Sequence, residues 1–293
     1  MSQTMNRGLG RHARRFRTAT LVLAVFTGAA HAQDGGDDAG FQKMIDSKGA
    51  ALVTVKFVLK VKMGGMMGGM GDQENEMEVT GVMIEPGGLV LCANSSMGGL
   101  SGMMSRFMGG GMTATPTDIK VLIGDDTEGL EAKLLARDSD LDLAWVQIKE
   151  PGDKQFEFVD FTNGPKAKVG QRLLSLNRLD KHFDRALVVT AGRVGGVAKK
   201  PRELYLPADD FTGMGQAVFT PDGAAVGFSI MQLPDQEGDF NPMRMMSMSS
   251  LSNMSTGKIL PAAEVLKATE LAKRSPSPDD AGKEGVEIKK DDE

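Results

Sequence analysis

Residues 81–91 read Gly81-Val82-Met83-Ile84-Glu85-Pro86-Gly87-Gly88-Leu89-Val90-Leu91. Two short apolar runs rich in β-branched residues flank a Pro-Gly-Gly turn signal, so the stretch reads as a β-hairpin and not as a helix. Moving outward, Glu76 to Ile84 alternates polar and apolar, and Leu89 to Ala93 is a short apolar strand. Before it, Ala51 to Lys62 is a long β-branched run that reads as a strand, with a short helical lead-in at Phe41 to Asp46. After it come strands near Asp118 to Ile123, Leu130 to Ala136 and Leu143 to Ile148. That half of the chain therefore reads as six short strands.

The second half repeats the texture, with strands expected near Phe156 to Phe161, Arg172 to Leu176, Ala186 to Val197, Ala217 to Thr220 and Ala224 to Met231, each bounded by Gly, Pro, Asp or Asn. Many short strands with no helices between them argue for antiparallel barrels or a sandwich. Two similar halves suggest two barrels. The expectation is an all-β fold of two antiparallel six-stranded β-barrels with a short C-terminal helix. The boundaries predicted are an N-terminal barrel over 41–150, a C-terminal barrel over 151–235, a Met/Ser-rich linker over 236–258, a helix over 259–273 and a disordered charged tail over 274–293. The helix, Leu260 to Ala272, has Pro261 in its first turn and Val265, Leu266 and Leu271 as apolar positions.

The chain has 293 residues, 41% hydrophobic and 25% charged, which is enough apolar content for a core and excludes wholesale disorder. Residues 1–32 read as a secretory signal peptide: Arg7, Arg11, Arg14, Arg15 and Arg17 precede an apolar run from Ala19 to Ala30, which ends in Ala30-His31-Ala32. That run is shorter than the ~20 apolar residues a membrane-spanning helix needs, so the mature chain is expected to be periplasmic or secreted, with no transmembrane segment. The leader holds five of the 34 basic residues and no acid, leaving 29 basic against 39 acidic, a net of −10. Such a balance disfavours nucleic acid or an anionic membrane surface as partner. His12 and His31 lie in the leader, so the mature chain keeps one histidine, His182. Its one cysteine, Cys92, has no partner for an intrachain disulfide and reads as a buried small hydrophobe in an apolar strand. Trp145 reads as core.

Several stretches, in order, resemble the protease domain of HtrA/Deg-type trypsin-like serine proteases. The hairpin 81–91 is similar to that family's G-x-x-I-x-x-x-G-x-I-L. Asp138-Ser139-Asp140-Leu141-Asp142-Leu143-Ala144-Trp145-Val146-Gln147-Ile148 resembles D-x-x-x-D-L-A-V-L-K-I. Val169 to Leu176 looks like the strand opening the second barrel, Val189-Thr190-Ala191-Gly192-Arg193-Val194 is similar to V-T-x-G-x-V, and Asp222 to Phe228 resembles the hairpin after the nucleophile. The resemblance covers residues 50 to 232 and implies two six-stranded barrels with a site in the crevice between them. That chemistry needs a His to take the proton from a Ser nucleophile and an Asp to hold the imidazole. The family's T-N-x-H falls on Cys92-Ala93-Asn94-Ser95, which replaces the base with Ser95. Asp142 keeps the Asp. The family's G-N-S-G-G-P falls on Thr212-Gly213-Met214-Gly215-Gln216-Ala217, which puts Met214 at the nucleophile position. A serine hydroxyl is no base near neutral pH, and a thioether has no proton to give up.

The triad-equivalent positions Ser95, Asp142 and Met214 therefore predict no catalytic residue, and without a partner Asp142 is expected to accept backbone N–H bonds in the crevice. His182, in a polar stretch of the second barrel, is expected on a surface loop. The Gly/Met-rich stretch Met63 to Met70 offers Met63, Met66, Met67 and Met70 as soft thioether ligands for Cu(I), with no His or Cys beside them. The competing readings of these stretches are a surface that re-packs around a partner, and drift in loops freed of constraint. No cofactor is expected. The function predicted is an exported pseudoprotease that binds protein or peptide, without the PDZ domain usual in HtrA proteins. The alternatives are a serine endopeptidase using a misaligned triad, with Thr212 near the nucleophile position, and a Cu(I)-binding protein.

Overall fold

The computed structural model describes residues 35–63, 72–101, 112–232 and 257–275. The leader, the tail beyond 275 and most of the Gly/Met-rich stretches lie outside these residues. The described chain forms two closed six-stranded antiparallel barrels, in strand orders β1-β2-β3-β6-β5-β4 and β10-β11-β12-β9-β8-β7. Helix α1 (Gly35–Lys48) leads in. The first barrel is β1 (Leu52–Met63), β2 (Gln73–Glu85), β3 (Leu89–Ala93), β4 (Met112–Ile123), β5 (Leu130–Asp138) and β6 (Leu143–Ile148). The second is β7 (Arg172–Arg178), β8 (Leu187–Ala198), β9 (Leu204–Pro207), β10 (Ala217–Phe219), β11 (Ala225–Ile230) and β12 (Lys258–Pro261), followed by helix α2 (Ala262–Arg274).

The 81–91 hairpin forms as read, with Gly88 at φ +87 donating its N–H to Glu85 O at 3.1 Å. Gly81 is required by packing, because a Cβ there would stand 2.6 Å from Val90 Cγ1 and 2.9 Å from Val55 Cγ2. β1 and β3 thus close over β2 to make a tight barrel wall.

Three expectations need correction. Phe156–Phe161 forms no strand: the segment crosses the first barrel through single bonds from Phe156 N to Pro86 O and Val159 N to Met83 O, with Val159 and Phe161 buried. Its alternating pattern reflects one face laid on a barrel, without a neighbouring strand to complete a ladder. Two strands were not anticipated. β9 and β12 have four residues each, and β12 was read as the start of the helix. Because Ile230 pairs with Lys258, the chain between them connects two adjacent strands of the second barrel, which closes with Pro261 and not at 235. Pro261 is extended (φ −57, ψ 147), so α2 starts at Ala262.

A large apolar core spans both barrels and α2, from Val53, Leu91 and Trp145 to Leu174, Phe228, Val265 and Ala272, and a second cluster that includes Leu173, Val194, Tyr205, Phe211 and Val226 lies within the second barrel. Polar ties reinforce the joint. Buried Arg178 donates to the carbonyls of Leu52 (3.0 Å), Gly49 (3.3 Å) and Arg185 (3.0 Å), binding the second barrel to the start of β1. The Thr80 hydroxyl lies 2.8 Å from Arg178 O, and Glu78 pairs with Arg185 at 2.9 Å. On α2, Thr269 Oγ1 accepts the Trp145 indole N–H at 3.0 Å, so the tryptophan is core and also a tether for the helix.

Thr269→Val keeps the shape and orphans the buried indole N–H, so it is expected to cost about 1–3 kcal/mol. Urea unfolding followed by Trp145 fluorescence measures this. An unchanged midpoint would show that the tether contributes nothing.

Candidate functional site: the crevice between the barrels

β3 ends at Ala93, and the chain turns at once into a 3₁₀ turn, Ser95–Met97, with Asn94 N donating to Asp142 O at 3.0 Å. Asp142 itself sits just before β6 in a left-handed conformation, φ +54, in a turn shaped by Leu141 N donating to Asp138 Oδ1 at 2.8 Å. Aspartate tolerates that region better than a bulky or β-branched residue. The turn carries the carboxylate inward, where it is 5% exposed. Oδ1 accepts from Ser95 N at 2.6 Å, and Oδ2 accepts from Ser95 Oγ at 3.0 Å and from Met231 N, at the end of β11, at 2.8 Å. Burial pushes this carboxyl above the ordinary aspartate range, against the opposing pull of the Met231 and Ser95 hydrogen bonds.

Across the crevice, Gly215 (φ +76) donates its N–H to Ser229 O at 2.8 Å. A Cβ on Gly215 would lie 3.3 Å from Ala93 Cβ, so the loop carrying half-buried Met214 packs against the end of β3, next to the Ser95 turn. The structure thus brings Ser95, Asp142 and the Met214 loop to one crevice. Thr212, Gln216 and two serines to which the sequence assigns no role, Ser175 and Ser229, hold this loop. Gln216 Oε1 accepts from Ser175 Oγ at 2.7 Å, Gly213 N at 3.1 Å and Thr212 Oγ1 at 3.3 Å, while Ser229 Oγ receives Gln216 N at 2.9 Å and donates to Gly213 O. The signal for the two serines is a lone hydroxyl inside each of two apolar runs, Leu-Leu-Ser-Leu in β7 and Gly-Phe-Ser-Ile in β11. Thr212 is buried with its hydroxyl in this cluster.

His182 stands apart. It lies exposed in the 3₁₀ turn Lys181–Phe183 between β7 and β8, capped by Asp180 Oδ1, which accepts the His182 N–H at 2.8 Å. Cys92 is fully buried in β3, and burial pushes its thiol up to about 12. Of the Cu(I) candidates, Met63 ends β1 opposite Met112, whereas Met66, Met67 and Met70 fall outside the described residues. Among the described residues no group of three or more His, Cys, Asp or Glu could hold a metal ion.

Residues 79–228 match the trypsin-like peptidase domain family. The chain belongs to that family. Among solved structures, this trypsin-like domain is similar to the serine endoprotease of Yersinia pestis, at 15% identity and a TM-score of 0.49, covering 80% of this chain and 66% of that one. It therefore spans just under two thirds of that endoprotease. No match was found among curated proteins.

Two outcomes follow from the buried groups. Asp142 binds its proton more readily in the folded than in the unfolded chain, because its folded pKa lies above the ordinary 3.8. The folded state therefore gains stability as pH falls through that raised value, and the gain is complete below the unfolded one. The stability of the natural chain relative to Asp142→Asn should rise on acidification, as measured by urea unfolding across a pH series, and a gap running the other way would refute the assignment. Cys92 should resist a disulfide-exchange reagent at pH 8 in the native protein and react fully after denaturation. Fast native labelling would contradict its burial.

Proposed function

We propose that this chain is an exported, non-catalytic member of the trypsin-like peptidase family that binds a protein or peptide segment in the crevice between its barrels. The observation carrying this reading is the state of Asp142. In a working triad that carboxylate orients an imidazole, but here both its oxygens are engaged by Ser95 N–H, Ser95 O–H and Met231 N–H. Ser95 stands at the base position and has no basicity to offer near neutral pH. Met214 stands at the nucleophile position and cannot form an acyl-enzyme. Loss of triad members lowers kcat by ~10⁴ to 10⁶.

The alternative of a displaced triad finds no support in the side-chain partners. Thr212 spends its hydroxyl on Ser175 and Gln216, and His182 is exposed on a turn of the second barrel. What the fold retains is a crevice with hydrogen-bonded walls, suited to recognition without turnover. Export is supported by the arginine-led apolar run and the Ala30-His31-Ala32 site.

A fluorophosphonate serine-hydrolase reagent should leave the purified protein unlabelled. Stoichiometric labelling that disappears on prior heating would overturn the non-catalytic reading.

A further inference from the structure

The ladder between β1 and β4 slips by one residue part-way along. Lys56 pairs with Lys120 and Val58 with Thr117, so Asp118 and Ile119 together oppose Phe57, and Asp118 takes a left-handed conformation at φ +52. A bulge of this kind bends its strand and opens the barrel wall locally. Beside it, the turn between β4 and β5 is pinned by its own aspartate: Asp126 Oδ1 accepts from Glu128 N at 2.9 Å and Oδ2 from Gly129 N at 3.2 Å. Bulge and turn frame a cavity of about 320 Å³, whose lining includes Lys56, Glu76, Asp118, Lys120, Thr127 and Glu128. It opens to solvent past the exposed residues Glu76, Asp118, Thr127 and Glu128. Its volume lies at the small end of the range of ligand sites, about 300–1,000 Å³.

The charges along this cavity are of both signs and only partly matched. Lys56 pairs with Glu76 at 2.6 Å, and Lys56, with Lys181 of the β7–β8 turn further off, holds Glu76 below the ordinary glutamate range. Lys120 stands between Lys56 on β1 and Glu131 on β5, but Glu131 pairs with Lys149 at 3.5 Å. The Asp118 carboxylate accepts from the Thr117 hydroxyl at 3.3 Å and meets no cation among the described residues. Lys120 and Glu128 line the cavity without an ion pair or a side-chain hydrogen bond among the described residues. One ammonium and two carboxylates are thus left unmatched around one small space.

We infer that this cavity binds a small zwitterion of the α-amino-acid type, its ammonium held between Asp118 and Glu128 and its carboxylate on Lys120. Charge decides the class. A simple cation would meet Lys120 and a simple anion would meet two carboxylates, whereas a zwitterion matches both signs at short range. The volume sets the size, which suits a free amino acid and excludes a folded partner. The site lies on the wall of the first barrel, goes beyond the reading of the crevice and does not depend on it.

Titration of the isotope-labelled full chain with L-alanine, followed by amide NMR shifts, tests the inference. Saturable shifts should appear at Lys120, Thr127 and Glu128, with a Kd in the millimolar range that solvent-screened charge pairs support. Alaninamide, which lacks the carboxylate, and N-acetylalanine, which lacks the ammonium, should each bind about tenfold more weakly. Lys120→Gln and, separately, Glu128→Gln should each weaken alanine binding about tenfold while thermal unfolding stays cooperative. Either variant suffices if the other fails to fold. The inference is overturned if alanine causes no saturable shift, if both variants bind like the natural chain, or if alaninamide or N-acetylalanine binds as tightly as alanine. It is equally overturned if sodium chloride alone reproduces the shifts, which would make them a screening effect. Fluorophosphonate labelling bears on the crevice alone, so the two readings can fail separately.

Discussion

The carboxylate of Asp142 is bonded to both walls of the crevice at once: to Ser95 on the first barrel and to Met231 at the end of β11 on the second. A buried anion costs free energy unless hydrogen bonds satisfy it, and here three donors do so with no cation among them. On the proposed non-catalytic reading, this carboxylate acts as a structural latch between the two barrels.

Around the latch, the two walls are held by different means. On the first barrel, Asn94 and Ser95 are fixed by backbone bonds to the Asp142 turn. On the second, the loop of Met214 is fixed from inside by Gln216, Ser175, Thr212 and Ser229. Away from the crevice, Arg178, Glu78 with Arg185, and Trp145 on Thr269 hold the barrels and α2 together, so the crevice walls rest on a continuous core.

Much of this was legible along the chain. The β-branched runs and Pro-Gly turns located β1, β3, β6, β7 and β11, because alternation and turn chemistry are local properties. β9 and β12 were not legible: four residues carry too little pattern, and Lys258-Ile259-Leu260-Pro261 fits the entry to a helix as well as a strand. Phe156–Phe161 failed for the opposite reason, since its pattern reports burial on one face and burial does not require a strand partner. Two of the three donors to Asp142 are backbone N–H groups, as the sequence led one to expect, and the third is the Ser95 hydroxyl. Met231 as one of them was not expected, since it lies 89 residues away in sequence.

By itself, the sequence determined the two-barrel texture, the charge balance and the residue types at Ser95, Asp142 and Met214, because composition and short spacing are written residue by residue. Tertiary structure alone decided that Gln216 folds beneath the Met214 loop and that Arg172 faces Arg193 across the β7–β8 ladder. Each of these depends on strand register and on loops meeting across a barrel, and register is set by which strands close the barrel together.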